Sequence, residues 1–416
     1  MFKVIKSAIS YKAIFIQIFL IAMNDDVKKR LIKNLHYLRM NDGLLFAGLP
    51  RFPELFGRDS IITAWELFYM DRNLLKNTIH TLSRYQGKIY DYSNGEEPGK
   101  ILHEFYPSYV AKETGMKEKG DAKWLKPDTP FYFSVDSTPL WLSSFSFFLD
   151  TESGKDFIRN HRNSILSALK WILNRSNTNG LLTYNRSKYG HGIAGMNWTD
   201  GAWELYKELK GEVATIEVQG YSIDAMTTFL EITKIIGADE CVSEAKERIK
   251  RVKRNIDLVM WNEKTDYPYN SLDEYGHIVG SVTSNPGHLL SVKEISYEMG
   301  RKIADRLFQD DMFTPYGIRT LSSEDPNFNP LAYQLGSIWF QDNWLILRGL
   351  KLRGFNGKYN KLKNALLNAI QCLNEAFEYF SVDNHGNIVE FDKLKVKPCS
   401  PQAWTVGAML NVLDSD

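Results

Sequence analysis

Apolar residues recur along most of the chain at spacings of three and four, which is typical of helices with one buried face. The stretch from Leu362 to Phe380 follows this pattern, and the stretch from Cys241 to Val259 repeats it. Further helices are predicted at about Asp26 to Leu38, Ser60 to Met70, Asn73 to Tyr85, Ser137 to Phe148, Lys155 to Leu173, Gln219 to Ile236, Lys293 to Leu307, Gly336 to Arg353 and Pro401 to Leu413. Strand candidates are few and short: Leu181 to Tyr184 and Ile388 to Phe391. The pattern predicts helices arranged in successive antiparallel pairs.

The N-terminal segment differs from the rest of the chain. Three lysines precede an apolar run from Ala13 to Met23, which resembles the core of a signal peptide. Eleven residues are too few to span a bilayer, which requires about 20. We interpret residues 1–23 as an over-called start with Met23 as the initiator, and the alternative is a weak export signal or membrane-surface anchor. No linker-like sequence follows, so residues 24–416 are predicted to form one domain.

Composition narrows the class of protein. The 416 residues carry 51 basic and 50 acidic side chains and are 44% hydrophobic, which excludes a disordered chain. A net charge of +1 argues against a nucleic-acid binder, because phosphate binding requires surplus Lys and Arg. Three widely spaced cysteines without a C-x-x-C pair fit reduced thiols in the cytoplasm better than a zinc site. We therefore predict a cytoplasmic protein with no metal, no cofactor and no stable membrane insertion; the oligomeric state stays open.

Several catalytic motifs can be set aside. Gly190 to Gly195 matches G-x-G-x-x-G but lacks the strand-turn-helix context of dinucleotide binding. His103-Glu104 lacks the second histidine of H-E-x-x-H. The chain contains neither a G-x-x-x-x-G-K-[ST] loop nor a G-x-S-x-G elbow.

Candidate chemistry lies in loop segments that combine carboxylates with Trp, Tyr and Gly. They are Phe56 to Ser60, Glu97 to Glu104, Ser134 to Pro139, Asn197 to Gly201, Glu217 to Tyr221 and Ile388 to Phe391. Sugars require such a mixture, because hydroxyl groups bind charged or amide partners while apolar ring faces stack on aromatic side chains. A purely structural interpretation stands beside it: Asp59 and Asp136 could each cap a helix. Trp198, Trp339 and Trp404 could likewise be core residues.

At these segments the chain resembles the glucosidase domain of glycogen debranching enzymes, the amylo-α-1,6-glucosidases, and more distantly the glucoamylases and trehalases. Further shared motifs are Ala47 to Pro50, Ser284 to Leu290, Gly317 to Leu321, Gly336 to Trp339, Asp342-Asn343 and Cys399 to Trp404. These motifs occur in the family's order across almost the whole chain from about residue 40. The resemblance implies an all-α (α/α)6 toroid of six inner and six outer helices, with the active site in a funnel at one end.

The resemblance also implies an inverting, exo-acting glycoside hydrolase that releases glucose from α-1,6-linked glucans, with α-1,4 linkages as a further option, and hence an α-glucan or maltooligosaccharide substrate. Carried over by position, the general acid is Asp200 and the general base is Glu390, with Glu217 and Glu204 as alternatives for the base. Substrate-binding positions are Arg58, Asp59, Glu104, Asp136, Trp198, Glu217, Gln219 and Trp339.

The chain departs from the family pattern in places. Gln334 and Gln341 stand where histidines are expected, and the base segment reads Val389-Glu390-Phe391 rather than Pro-Glu-Leu. Two alternatives therefore stay open. One is a hydrolase of the same fold that acts on trehalose or another glucoside, and the other is a non-catalytic glycan-binding relative.

Overall fold

The computed structural model describes residues 25–110, 126–176, 179–185 and 195–415. The apolar run at residues 13–23 and all but the last residue of the Gly190 to Gly195 motif lie outside the described residues. The helices are α1 (25–37), α2 (Gly57–Glu66), α3 (Arg72–Arg84), α4 (Ser137–Ser143), α5 (Glu152–Asn160), α6 (Arg162–Asn174), α7 (Trp203–Tyr206), α8 (Ile216–Ile236), α9 (Val242–Val259), α10 (Tyr297–Leu307), α11 (Phe340–Leu352), α12 (Asn356–Leu373) and α13 (Ala403–Asp414). Short 3-10 helices cover Ser144–Phe148, Asp239–Cys241, Asn285–Ser291 and Phe391–Lys393.

Six helical elements contact one another in a closed ring. Around the ring, α2 packs on α4, α4 on α8, α8 on the Asn285–Ser291 3-10 helix, this helix on α11, α11 on α13, and α13 again on α2. A second layer lies outside it: α3 packs on α2, α6 on α4, α9 on α8, α10 on the 3-10 helix, and α12 on α11 and α13. Together with the solved structures described below, this arrangement confirms the predicted (α/α)6 toroid.

Burial distinguishes the two layers. Every residue of α2 is buried, which is expected of a helix surrounded by others. The outer helix α9 instead buries a single stripe, formed by Ala245, Ile249, Val252 and Ile256. The periodic pattern of the sequence thus belongs mainly to outer helices, whereas the inner helix α2 is buried around its whole circumference, its charged residues Arg58, Asp59 and Glu66 included.

Backbone hydrogen bonds join the beginning and the end of the ring. The Leu49 amide donates to the Pro401 carbonyl at 3.0 Å, and the Ser400 amide donates to the Leu49 carbonyl at 2.9 Å. The Ala403 amide donates to the Ala47 carbonyl at 2.8 Å. Two segments that lie near opposite ends of the sequence, Ala47 to Pro50 and Cys399 to Ala403, therefore form one contact next to the start of α13.

Short strands connect the helices. The strands are β1 (Leu55–Phe56), β2 (Glu104–Phe105), β3 (Tyr184–Asn185), β4 (Glu212–Thr215), β5 (Trp261–Asn262), β6 (Tyr267–Pro268), β7 (Ser271–Asp273), β8 (Ile278–Val279), β9 (Phe313–Thr314) and β10 (Gly317–Ile318). An antiparallel sheet has the order β3-β4-β7-β8, with Tyr184 opposite Val213 and Val213 opposite Asp273. The pairs β1-β2, β5-β6 and β9-β10 are antiparallel as well. Because β4 leads directly into α8, the sheet fixes the start of an inner helix.

Two predicted helices differ from the observed ones. The stretch from Lys155 to Leu173 forms two helices, α5 and α6, that meet at His161. The helix predicted to reach Phe380 ends at Leu373, because Asn374 adopts a left-handed conformation with φ of 57°. Phe380 then pairs with Ile338 in an isolated antiparallel bridge. None of the helices in the described part of the chain combines the length and apolar character that crossing a bilayer requires.

Candidate active site

Arg58 lies at the centre of a carboxylate cluster at the start of α2. Its Nη1 donates to Asp136 Oδ2 at 2.9 Å, and its Nη2 lies 3.4 Å from Asp200 Oδ2. Its Nε lies 3.7 Å from Oδ2 of the neighbouring Asp59. The guanidinium is buried, and burial lowers its pKa, but the three carboxylates more than offset this effect and raise it. Arg58 is therefore a permanent cation that neutralises part of an acidic hollow.

The start of α2 is fixed by close backbone packing. The Gly57 amide donates to the His103 carbonyl at 2.8 Å. A Cβ at Gly57 would lie 2.2 Å from the Leu102 carbonyl oxygen, so only glycine permits this approach. The packing brings Arg58 and Asp59 into the first turn of an inner helix. Asp59 does not cap α2: the N-cap position is Phe56.

Asp136 is fully buried and positions Arg58. Its Oδ1 accepts a hydrogen bond from Ser134 Oγ at 2.6 Å, while Oδ2 accepts from Arg58. It occupies the N-cap position of α4 but makes no capping bond through its side chain. With 0% exposure it offers no surface to a ligand. The structure thus contradicts the predicted capping role, while the role in substrate binding stays a prediction.

Asp200 lies in a loop that several buried polar groups hold in place. Asn197 Nδ2 donates to Glu217 Oε1 at 2.7 Å and to Thr199 Oγ1 at 2.8 Å. Thr199 Oγ1 in turn shares a 2.5 Å hydrogen bond with the Tyr206 hydroxyl. Glu217 is fully buried in the first turn of α8 and binds this loop through Asn197, and its roles as a ligand-binding residue and as an alternative base stay predictions.

The electrostatic environment of Asp200 favours its protonated form. Burial raises the pKa of Asp200 to about 6, while Arg58 acts in the opposite direction and Asp136 adds to the increase. The Glu378 carboxylate also raises it. The side chain remains 22% exposed, so it is accessible from the hollow. Asp59 is affected similarly, since burial raises its pKa to about 7, and its Oδ2 has no hydrogen-bond partner among the described residues.

Glu378 is a second carboxylate of the same site. It follows the left-handed turn at Asn374 and is 1% exposed. The Tyr333 hydroxyl donates to Glu378 Oε1, the Cys399 amide donates to Oε2 at 3.0 Å, and Arg51 Nη1 lies 3.8 Å from Oε2. Burial raises the pKa of Glu378, whereas Arg51 and these hydrogen bonds oppose the shift by stabilising the ionised form.

An aromatic cluster adjoins the two carboxylates in the chain and forms a hydrophobic group separate from the main core. Its buried members are Trp198, Trp339, Tyr379, Leu394 and Trp404. Trp339 stacks on Tyr379 with an interplanar angle of 17°, and its Nε1 donates to Ser337 Oγ at 2.9 Å. The Nε1 atoms of Trp198 and Trp404 have no acceptor within the described part of the chain. Buried indole donors without acceptors are suited to sugar hydroxyl groups.

Glu390 lies outside the carboxylate cluster. Its side chain is 68% exposed and forms an ion pair with Lys393 at 2.9 Å. The neighbouring Val389 and Phe391 pack against the aromatic cluster, so the alternation of this segment leaves Glu390 at the surface. The structure therefore does not place Glu390 where a base opposite Asp200 is required. Glu204, the other alternative for the base, is also exposed.

Two further residues predicted to bind substrate, Gln219 and Glu104, lie in different environments. Gln219 is fully buried and holds the backbone at Leu182, since Oε1 accepts from its amide and Nε2 donates to its carbonyl, both at 2.9 Å. Its contact with substrate stays a prediction. Glu104 is partly buried in β2 opposite Phe56, one residue before the start of α2. It thus lies next to the segment that carries Arg58.

A buried polar chain that the sequence analysis did not identify lies behind Trp198. The Tyr221 hydroxyl is 2.5 Å from His288 Nδ1, and His288 Nε2 is 2.7 Å from Asp342 Oδ1. The Trp198 ring stacks on His288 at an interplanar angle of 29°. Motifs around His288 and Asp342 were visible in the sequence, but only the fold shows that they meet.

The sequence analysis also did not identify Glu378, because this residue falls within the apolar stripe assigned to the last turns of the predicted helix.

The buried arginine, the carboxylates around it and the aromatic cluster are the kinds of side chain that line sugar-binding sites. The family model for the mannosylglycerate hydrolase MGH1-like glycoside hydrolase domain matches residues 53–385, which is more than half of the chain. The protein belongs to this family. The matched region includes Glu378 but ends before Glu390.

Solved structures share the fold. The GH63 mannosylglycerate hydrolase from Thermus thermophilus in complex with Tris and D-glycerate has a TM-score of 0.68 at 14% identity, covering 93% of this chain and 99% of that chain. The same enzyme in complex with glucose gives a TM-score of 0.67 at 13% identity with the same coverage. No curated protein sequence matches this chain. The predicted six-hairpin type of glycosidase is thus confirmed, whereas the family found is not specifically that of glycogen debranching.

Proposed function

We propose that the protein is an inverting, exo-acting α-glycosidase in which Asp200 is the general acid and Glu378, in place of Glu390, is the general base. The main support is that Asp200 and Glu378 belong to one buried cluster in which the Glu378 charge raises the pKa of Asp200. Burial raises the pKa of both carboxyl groups, that of Asp200 to about 6, so Asp200 can carry a proton. Arg51, Tyr333 and the Cys399 amide oppose the increase at Glu378 by stabilising its ionised form.

One tyrosine connects the surroundings of the two carboxylates. A Cβ on Gly201, next to Asp200, would lie 2.6 Å from Tyr333 Cδ1, and the hydroxyl at the other end of this ring binds Glu378. Tyr333 therefore contacts both the backbone next to Asp200 and the Glu378 carboxylate. Inverting hydrolases place their carboxyl groups about 6.5–9.5 Å apart, because a water molecule has to fit between the base and the anomeric carbon.

In the proposed reaction Asp200 donates its proton to the glycosidic oxygen as the bond to the anomeric carbon breaks. Glu378 takes a proton from water, whose oxygen forms the new bond to this carbon from the opposite face of the ring. The product is a free sugar of inverted configuration, and Asp200 recovers its proton through exchange with solvent. Arg58 stabilises the Asp200 carboxylate that forms, and Asp59 Oδ2 accepts a hydrogen bond from a hydroxyl of the terminal sugar.

The proposed substrate is a terminal α-linked glucose on a short α-1,6 or α-1,4 glucan, as the motifs around Asp200 and Asp59 predict. A second candidate is a small glycoside whose departing group carries a carboxylate, such as the substrate named for the Thermus enzyme. It is favoured by Arg51, whose side chain is 35% exposed beside Glu378 and the Tyr333 ring. The exposed part of this guanidinium can pair with an anionic group of the substrate.

Product analysis by NMR tests the proposal. Purified protein is incubated with isomaltose, maltose, trehalose, glucosylglycerate and mannosylglycerate, and the anomer first released is recorded. A β-anomer from an α-linked substrate, lost in Asp200→Asn, is the expected result. Release of the α-anomer contradicts inversion. Calorimetric binding of these saccharides without product from any of them selects the non-catalytic alternative.

A further inference from the structure

The side-chain amide of Gln334 bridges the loop that carries Asp200. Its Nε2 donates to the Trp198 carbonyl at 2.8 Å, and its Oε1 accepts from the Gly201 amide at 2.6 Å. Asp200 lies between these two contacts. Gln334 is 3% exposed, so water cannot replace either bond without a change in packing.

The loop depends on such contacts because residues 195–202 form turns and no regular secondary structure. Asn197 is bound by Glu217 at the start of α8, and Thr199 is bound by Tyr206 at the end of α7. Gln334 binds the loop separately from these two groups. It contacts the residues on either side of the acid, Trp198 and Gly201. One amide thus restrains the backbone two residues before and one residue after the position that has to deliver a proton.

The packing around Gly201 strengthens this restraint. A Cβ at this position would lie 2.9 Å from Gln334 Oε1 and 2.6 Å from the Tyr333 ring. The backbone of the acid loop therefore rests directly on residues 333 and 334. Since Tyr333 also binds Glu378, the same short segment contacts the surroundings of both carboxylates.

We propose that Gln334 is a positioning residue for the general acid: it holds the loop so that the Asp200 carboxyl reaches the departing oxygen. This inference rests on the proposed function, in which Asp200 protonates the leaving group. A misplaced acid slows substrates that need protonation and hardly affects substrates whose leaving group departs unaided. A residue that only stabilised the fold would affect both kinds of substrate alike.

The test variant is Gln334→Met, which keeps the length of the side chain and removes both hydrogen bonds. Turnover is compared on a natural α-glycoside, with a poor leaving group, and on the α-glycosyl fluoride of the same sugar, whose fluoride needs no proton. We expect kcat on the natural glycoside to fall by about ten- to a hundredfold with KM nearly unchanged, and kcat on the fluoride to change far less.

The matched control is Gln86→Met. Gln86 is also a buried glutamine whose amide joins two backbone segments, donating to the Gly99 carbonyl at 2.9 Å and to the Ser164 carbonyl at 3.0 Å. It lies away from the acid loop. Its loss is expected to lower the melting temperature without any difference between the two substrates.

The variant Asp200→Asn distinguishes a failure of the proposed function from a failure of the positioning role of Gln334. If this variant loses the natural glycoside but keeps the fluoride, Asp200 is the acid; an equal loss of both substrates in Gln334→Met then overturns the positioning role alone. If Asp200→Asn retains full turnover of the natural glycoside, or wild-type protein hydrolyses neither substrate, the proposed function fails and the role of Gln334 fails with it. Should Gln334→Met unfold, Gln334→Glu, which keeps the acceptor for the Gly201 amide, replaces it with the same expected substrate dependence.

Discussion

Arg58 Nη2 lies 3.4 Å from Asp200 Oδ2, although the two residues are 142 positions apart in the chain. The same guanidinium binds Asp136, which has no other cation nearby at comparable distance in the described structure. Arg58 therefore has two functions. It compensates a fully buried carboxylate, and it sets the charge next to the proposed acid.

Replacement of Arg58 by Met leaves Asp136 buried without its cation. We expect the free energy of unfolding to fall by about 3–5 kcal/mol, measured by urea denaturation, because an uncompensated buried charge is costly. The double variant Arg58→Met with Asp136→Asn should recover part of this stability but no activity. Arg301→Met, which removes an exposed ion pair with Glu298, serves as the control and should leave the free energy of unfolding nearly unchanged. Equal effects of Arg58→Met and Arg301→Met would contradict the interpretation.

The identity of the base is tested by two matched substitutions. Glu378→Gln should lower kcat by about a hundredfold to ten-thousandfold, because a general base contributes on this scale. Glu390→Gln should retain wild-type turnover, since Glu390 is 68% exposed and paired only with Lys393 among the described residues. Kinetics on the substrate identified by product analysis measure both. The reverse result would return the base to the position predicted from the sequence.

Activity should decline as the pH rises through about 6 to 7. Burial raises the pKa of Asp200 to about 6, so the proton that the acid donates is present below this pH and lost above it. Burial also raises the pKa of Asp59 to about 7, and its ionisation alters sugar binding in the same range. The pH profile of kcat/KM for the natural glycoside is compared with that for the glycosyl fluoride. Only the contribution of Asp200 should disappear with the fluoride, and identical profiles would argue against it as the acid.

Gln219 should behave as a structural residue. Its amide holds the Leu182 backbone, so Gln219→Met is expected to lower the free energy of unfolding by about 1–3 kcal/mol through lost buried hydrogen bonds. The KM of the folded variant should equal that of wild type. Asp59→Asn is the comparison, because a change at a sugar-binding carboxylate should raise KM while the melting temperature stays close to that of wild type. A raised KM in Gln219→Met would restore the sequence-based prediction.

The helical architecture was largely predictable because amphipathic outer helices carry their periodicity in the sequence. α3 and α9 occur close to the predicted bounds. The errors arose where the pattern continues beyond the helix. The apolar pattern of α12 continues in the sequence at Ala376, Phe377 and Phe380. The left-handed Asn374 nevertheless ends the helix before them, so these residues are not buried along the apolar face of α12.

The candidate site was predictable in part. Arg58, Asp59 and Asp200 were predicted and meet in the structure, and their roles in binding and catalysis remain predictions. The burial of Asp136, Glu217 and Gln219 was not predictable. A carboxylate or amide in a motif can either line a site or hold in place the residues that line it, and the sequence of the motif does not distinguish these two cases.

The sequence by itself determined the composition of the site and the helices that carry it, because periodicity and local motifs are properties of neighbouring residues. Only the tertiary structure decided which carboxylates share the hollow, since Asp200 and Glu378 are brought together by closure of the helical ring and not by any local pattern. It also decided that Glu390 remains in solvent, because the packing of Val389 and Phe391 on the aromatic cluster directs the residue between them outward.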